Sequence, residues 1–390
     1  MRHYGHLDTA LRTKLFHQEP AEFTAGSSAR TLAMALGATL YTPATRDGLG
    51  TAVRKQAARG VVSMVLCLED AIADGDVPQA EENIVHSLRE LAGQGTAGLP
   101  LLFVRPREAE QIPDLVARLG PAAALLSGFV LPKFTEERGI PFLEALTAAQ
   151  AASGLRLFAM PVLESPELLH LESRRETLAG ISRVLDKYRE HVLALRLGVT
   201  DFCSVYGLRR APDITAYDLQ LVASVIGDVV NAFGRADGTG FTVTGPVWEY
   251  FRPHERIFKP QLRRSPFTGA NEALRDLLLE HDMDGLLREI ELDRANGLQG
   301  KTCIHPSHVA LVHALSVVSL EEYSDARDIL ERERDGGGVL RSAYTNKMNE
   351  AKPHRAWAER TLLRAEVFGV AREDVTFVEL LDAGLKVEHA

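Results

Sequence analysis

The sequence predicts a (β/α)8 barrel with an N-terminal helical extension, a loop-side insertion and a C-terminal helical tail. Three observations carry the expectation. Eight short apolar runs alternate with longer helical patterns, as βα units around a parallel sheet do. Eight strands close such a barrel. Charged residues or prolines follow the runs, and strand C-terminal ends are where barrels build active sites. A doubly wound open sheet is the competing reading. It normally carries Gly-x-Gly-x-x-Gly after its first strand, and that fingerprint is absent.

The runs are 38–42, 62–68, 101–104, 128–131, 157–163, 192–197, 241–244 and 301–304. Helical patterns at 47–59, 78–91 and 215–233 separate some of them; in 78–91, Ile84, Leu88 and Leu91 share one side. Residues 1–37 read as the helical extension and 38–320 as the barrel. The stretch 251–285 reads as an insertion with Pro253, Pro260 and Pro266, either a surface elaboration or a substrate lid. A helix at 321–334 leads to the hinge Asp335-Gly336-Gly337-Gly338, and 321–390 forms the tail, with its clearest helix at 356–370.

At 390 residues the chain exceeds the roughly 250 of a typical barrel, which leaves room for these additions. A net charge of −9 weighs against a nucleic-acid partner, which demands a basic face. Arg209-Arg210 remains a local spot suited to one phosphate. Cys67, Cys203 and Cys303 form no Cys-x-x-Cys pair and read as reduced, buried thiols. No apolar run approaches the ~18 residues of a membrane span, and the polar start Met1-Arg2-His3 lacks a signal core. A cytoplasmic protein is expected.

The strand ends carry the chemistry. Glu164 follows Met160-Pro161-Val162-Leu163, and Asp201 follows Leu197-Gly198-Val199-Thr200. Two such carboxylates suit one hard cation, Mg²⁺ or in its place Mn²⁺, and leave coordination positions open for a chelating substrate. The bland reading is that each acid caps the next helix. Glu69-Asp70 follows the second run. One of the two is expected to hold metal-bound water and the other the loop, with a helix cap as the alternative for Asp70. Arg105 suits bidentate capture of a carboxylate and a developing oxyanion, or a salt bridge to Glu69 or Asp70. Lys133 suits an electrostatic role, or a Schiff base in a metal-free aldolase. Gly245-Pro246 follows the seventh run, and His305 after the eighth reads as a structural histidine.

In order, these pieces resemble the citrate lyase β-subunit-like branch of the HpcH/HpaI aldolase superfamily. The matching segments are Leu68-Glu69-Asp70-Ala71-Ile72, Val104-Arg105, Pro132-Lys133, Val162-Leu163-Glu164-Ser165-Pro166 and Leu197-Gly198-Val199-Thr200-Asp201. Gly245-Pro246 and Gly300-Lys301-Thr302-Cys303-Ile304-His305-Pro306 complete the set. The resemblance implies Mg²⁺ held by Glu164 and Asp201, and C–C bond cleavage or formation next to a carbonyl. It implies substrate contacts at Lys133, Gly198, Gly245 and Pro246. Asn346-Lys347-Met348-Asn349-Glu350 resembles a tail segment whose acid reaches a neighbouring subunit. Glu350 thereby becomes a candidate acid/base supplied in trans within a homo-oligomer of two to six chains; an exposed glutamate at a helix start is the alternative. The chain departs from the pattern at Gly37-Ala38, where an Arg-Ser pair is usual, and near Val77-Pro78, where a lysine is usual. Both positions bear on a CoA or carrier-protein thioester. The insertion and the 346–357 segment look like a sub-branch grouped with tellurium-resistance and stress-response gene clusters.

The expected activity is a Mg²⁺-dependent lyase or aldolase acting on a 2-oxo or 3-hydroxy acid. The alternatives are an inactive barrel serving as a metabolite-binding or regulatory subunit, and the Schiff-base aldolase.

Overall fold

Each of the eight runs contributes a strand to one parallel sheet in the computed structural model, which describes residues 1–251, 272–280 and 283–386. The strands are β1 (Ala38–Pro43), β2 (Ser63–Cys67), β3 (Leu101–Arg105), β4 (Leu126–Leu131), β5 (Phe158–Leu163), β6 (Leu195–Leu197), β7 (Val243–Thr244) and β8 (Lys301–Cys303). Neighbours in sequence are neighbours in the sheet, and β1 pairs with β8. A bridge between Gly245 and Lys301 joins β7 to β8 and closes the barrel. There the Thr302 N–H donates to the Gly245 carbonyl at 3.2 Å.

Alternation along the strands sorts two apolar sets. Met64, Leu66, Leu102, Val104, Phe129 and Leu131 pack outward with helix residues such as Ile84, Leu88, Ile112 and Leu115. Val65, Phe103, Val130, Met160 and Val162 face inward and fill the barrel together with Leu32, Leu36 and Phe368. Helix Ala29–Ala35 therefore plugs the N-terminal end of the barrel. Its cap is Ser28, whose side chain accepts from the Thr31 N–H.

Local signals set the helices. Val77–Gly93 buries Ala80, Ile84, Leu88 and Leu91, a spacing of three or four residues. Glu136–Ser153 starts at the Thr135 cap and stops at Gly154, which takes φ +70°. The pattern at 215–233 is divided: a short turn at Ala216–Asp218 precedes helix Gln220–Phe233. The Asp218 carboxylate accepts from both the backbone and hydroxyl of Thr215 and pairs with Arg288 at 2.6 Å, which fixes that turn separately.

The N-terminal extension holds helices Thr9–Leu15 and Ala29–Ala35, and also a strand, Phe16–Gln18, that the sequence pattern did not announce. It pairs antiparallel with Val370–Ala371 in the tail. Three residues are too few to show a period, and their partner lies some 350 positions away. The tail carries helix Leu320–Arg334, a hairpin of Val339–Arg341 and Met348–Glu350, and helix Ala351–Phe368. Buried Asp325 accepts from Ser342 Oγ at 2.8 Å and Asn349 Nδ2 at 2.9 Å, which ties the hairpin to the first of these helices. Of the insertion expected at 251–285, residues 252–271 and 281–282 lie outside the described residues. Glu272–Glu280 and Met283–Ala295 are helical.

Three histidines meet beneath the barrel. His3 and His313 lie with ring centroids 4.6 Å apart, and both are buried. His3 Nε2 bonds the Ala35 carbonyl at 3.1 Å, while His3 Nδ1, His313 Nε2 and both nitrogens of His6 are buried with no partner among the described residues. Burial depresses all three: His3 to about 3, His6 to about 4, His313 well below its usual value. The unfolded chain binds these protons near pH 6.5 and the folded chain does not. Stability is thus complete above about pH 6.5 and is lost as pH falls below it, by roughly 2 kcal/mol per deferred histidine at pH 5. His3→Phe is expected to flatten the melting temperature profile between pH 7 and 5; an unchanged slope refutes the assignment.

Candidate active site

Strand parity brings the candidate residues to one place. Phe103 faces the interior, so Arg105 does also; Val162 does the same for Glu164, and Val65 for Cys67 and then Glu69. All three charged groups open at the C-terminal mouth. Arg105 Nη2 donates to Glu164 Oε1 at 2.6 Å and lies 2.9 Å from Glu69 Oε2. Lys133 enters from the end of β4. Its backbone N–H donates to Glu164 Oε1 at 2.9 Å and its Nζ to Glu69 Oε1 at 2.8 Å. It does so with φ +49°, a left-handed conformation uncommon outside glycine. Strain of that kind persists where surrounding contacts over-determine it. Asp70 is mostly exposed, 3.5 Å from Lys133 Nζ, and its N–H donates to Glu69 Oε2 at 2.8 Å.

Asp201 sits in the first turn of helix Val199–Val205 and reaches Glu164. Neither acid caps a helix through its side chain: Gly198 and Ser165 occupy the cap positions, with no side-chain cap bond. Asp201 nonetheless stands in the first turn, where the positive end of the helix favours an acid. Gly198 lets the acids approach. A Cβ there would lie 2.3 Å from both Cβ and Oε2 of Glu164. Gly198→Ala is accordingly expected to displace Glu164 and weaken Mg²⁺ binding at least tenfold in calorimetry with the fold intact; unaltered affinity would count against this packing role.

The electrostatics divide the acids. Burial, then the neighbouring Asp201 charge, raise Glu164 to about 7 against the pull of Arg105. Asp201 is raised, chiefly by burial. Asp70 is raised by burial and by Glu69. Burial opposes ionisation of Glu69, but Arg105 and Lys133 outweigh it and hold it low. Burial also works against the Lys133 charge, yet Glu69 and Asp70 raise its pKa and keep it protonated. Two apposed carboxylates that resist joint ionisation fit a divalent, oxygen-loving cation, which removes the repulsion between them. Among the described residues no group of three or more His, Cys, Asp or Glu has metal-holding geometry.

Other candidates stand apart. Gly245 and Pro246 are buried at the closing seam, where a Cβ on Gly245 would meet Asp293 Oδ2 at 2.4 Å. Glu350 is exposed on the tail hairpin, and its N–H donates to His354 Nδ1 at 3.0 Å. Among the described residues no hydrogen bond or ion pair joins it to the cluster. His305 bonds Ser307 Oγ at 2.8 Å and stacks on Phe251, as a structural histidine does. Arg210 corrects an expectation. It is buried and paired with Glu289 at 2.7 Å, so it is not available to a free phosphate.

Sequence reasoning missed the groups beneath the rim. Tyr41 of β1 is partly buried, and its pKa is raised by burial while Arg196 and Arg105 oppose the shift. Arg196 crosses the barrel interior, donating to Thr302 Oγ1 at 2.7 Å, with its guanidinium 5.5 Å from the Tyr41 ring centroid. A charge inside Leu195-Arg196-Leu197 was the available signal.

With this geometry in view, the comparisons are specific. The family described as C-C bond lyase of the TIM-barrel fold matches residues 30–370. The chain belongs to that family. It is thus a carbon–carbon lyase, and the acidic, arginine-bearing mouth is the lyase's candidate active site. No curated protein matches the lyase significantly. Among solved structures, a citrate lyase from Burkholderia xenovorans is 17% identical, with 89% of the lyase and 96% of that chain covered and a TM-score of 0.59. The protein CitE from Mycobacterium tuberculosis, in complex with magnesium, acetoacetate and coenzyme A, is 22% identical. That match covers 85% of the lyase and 99% of the other chain, with a TM-score of 0.51. At such identities the likeness shows the barrel fold.

Proposed function

We propose that the chain is a Mg²⁺-dependent lyase that cleaves or forms a C–C bond in a 2-oxo or 3-hydroxy acid. The observation that carries the reading is the Glu164–Asp201 pair at the barrel mouth, flanked by Arg105 and Lys133. Glu164 and Asp201 would hold the cation. When bound, it supplies a Lewis acid for the carbonyl and carboxylate oxygens of the substrate. The magnesium in the Mycobacterium tuberculosis complex supports the choice of ion; Mn²⁺ is expected to substitute.

The protein groups act around it. In the cleavage direction a base takes the substrate hydroxyl proton, and the oxygen lone pair closes a carbonyl. The C–C electron pair passes to the carbon beside the second carbonyl and gives an enolate. Arg105 stabilises that charge. Lys133, held protonated by Glu69, orients the acid group, which weighs against a Schiff-base role for its amine. Asp70 and Glu69 hold water and the loop. Glu350 of a second copy supplies the acid/base in a homo-oligomer, with the tail as a lid. The acetoacetate and coenzyme A in the same complex make a short oxo acid, free or as a thioester, the substrate class to examine.

The test is thermal shift with Mg²⁺ and a panel of 2-oxo acids, followed by calorimetry. A binder stabilises the fold by mass action. Mg²⁺-dependent stabilisation by at least one 2-oxo acid is expected, and Glu164→Gln should abolish it. No binding of Mg²⁺ or Mn²⁺ by the wild-type protein would sink the proposal.

A further inference from the structure

The barrel end opposite the catalytic mouth gathers arginines, of which Arg30 and Arg360 have no partner among the described residues. A cavity of about 200 Å³ opens beside the segment leading into β7, helix Ala29–Ala35 and helix Ala351–Phe368. Arg30, Arg235 and Arg360 line it with Gln299. Arg360 is half-buried, and among the described residues it makes no hydrogen bond or ion pair; burial alone depresses its pKa. Arg30 is likewise unpaired among the described residues, and Arg235 donates only Nε, to the Asn231 carbonyl at 2.9 Å. One acid, Glu359, shares the wall, but Arg355 engages it at 3.0 Å.

Behind this cavity lies a smaller one of about 70 Å³. It shares Met34, Gln299 and Arg360 and adds Arg364 and Arg294, the latter paired with Glu291 at 3.3 Å. Arg364 pairs with Glu322 at 2.9 Å, yet its Nε is buried with no partner among the described residues. Asp293 reaches the same wall with both oxygens engaged, by Lys301 at 2.6 Å and Tyr217 at 2.8 Å. The neighbouring loop is anchored: Arg189 stacks 4.1 Å from the Phe241 ring centroid and donates to the Thr239 and Gly240 carbonyls.

Buried or half-buried guanidinium groups are ordinarily paired, because desolvating a charge without compensation is costly. Here half-buried Arg360 has no partner among the described residues, exposed Arg30 and Arg235 face the same cavity, and Glu359 in its wall is already engaged by Arg355. We propose that this is an anion site for a phosphate dianion, free or as the monoester of a small metabolite. Guanidinium groups match phosphate oxygens through paired N–H donors. The outer volume is below the ~300 Å³ at which drug-sized ligand pockets begin, which limits the ligand to a small one. The site lies at the opposite strand ends from Glu164 and Arg105, so its ligand touches no reacting atom.

The test titrates the whole protein, free of divalent cations, with orthophosphate and separately with glycerol 3-phosphate, by calorimetry and thermal shift. Saturable binding of at least one is expected. Tighter binding of the monoester assigns a metabolite, and equal or weaker binding assigns the free ion. Arg360→Met should weaken binding at least tenfold. Without ligand it should melt no lower than wild type, since it removes an uncompensated cation and keeps the aliphatic stem. Exposed Arg235→Ala should weaken binding severalfold, and Arg105→Ala at the distant mouth should leave it unchanged. Absence of saturable binding overturns the proposal. So does binding that survives Arg360→Met, or binding that Arg105→Ala removes.

Discussion

Arg105→Ala is expected to lower turnover by about 10²–10³-fold, the usual result of removing one preorganised donor from a developing oxyanion. The geometry explains why it should exceed an ordinary surface change. Arg105 is the direct cation partner of Glu164 at 2.6 Å and of Glu69 at 2.9 Å, and it is itself largely buried. Without it Glu164 loses the principal influence that opposes burial and the Asp201 charge. Magnesium binding should survive in this variant, because both proposed ligands remain, with the apparent affinity falling toward low pH as Glu164 retains its proton. Steady-state kinetics and metal calorimetry on one preparation separate these effects. Near-normal turnover would remove Arg105 from the mechanism, and complete loss of metal binding would show that its role is to organise the acids.

Lys301→Met should cost about 3–5 kcal/mol of stability, the penalty for removing one partner from a buried ionic group. Lys301 Nζ lies 2.8 Å from Glu289 Oε1 and 2.6 Å from Asp293 Oδ2, and all three side chains are buried. After the change Glu289 keeps Arg210 at 2.7 Å, whereas Asp293 keeps, among the described residues, the neutral Tyr217 hydroxyl at 2.8 Å. Burial already raises Asp293 to about 6 against the pull of Lys301. In the variant that carboxyl should take up a proton more readily still. The loss of stability should therefore be larger at pH 8 than at pH 6. Denaturant midpoints at the two pH values check this; a loss below about 1 kcal/mol at both would place the network among neutral replacements.

Much of the barrel was legible because buried parallel strands read as apolar runs and helices as amphipathic spacing. The runs ending before Arg105 and Glu164 also disclosed their direction, since alternation fixes which way the next side chain points. Legibility failed where partners are remote or the backbone is unusual. Lys133 takes its positive φ while its backbone and amine contact Glu164 and Glu69, just past β5 and β2, so nothing in Pro132-Lys133-Phe134 announces it. Glu289 and Asp293 stand four apart on one helix, a spacing equally typical of a solvated face until Lys301 arrives from β8. Tyr41 was overlooked because an aromatic in an apolar run reads as core, although its register beside Val65 places it inside the barrel.

The short ribbon joining Phe16–Gln18 to Val370–Ala371 makes the two extremities of the polypeptide a single mechanical unit. Arg372 adds to it, with its N–H and Nε donating to the Leu15 and Thr13 carbonyls. Clipping the first eighteen residues would strip β-sheet partners from the segment that follows helix Ala351–Phe368. The proposed lid would then be loosened from its far anchor, so damage at the amino end should be felt as altered behaviour at the carboxyl end.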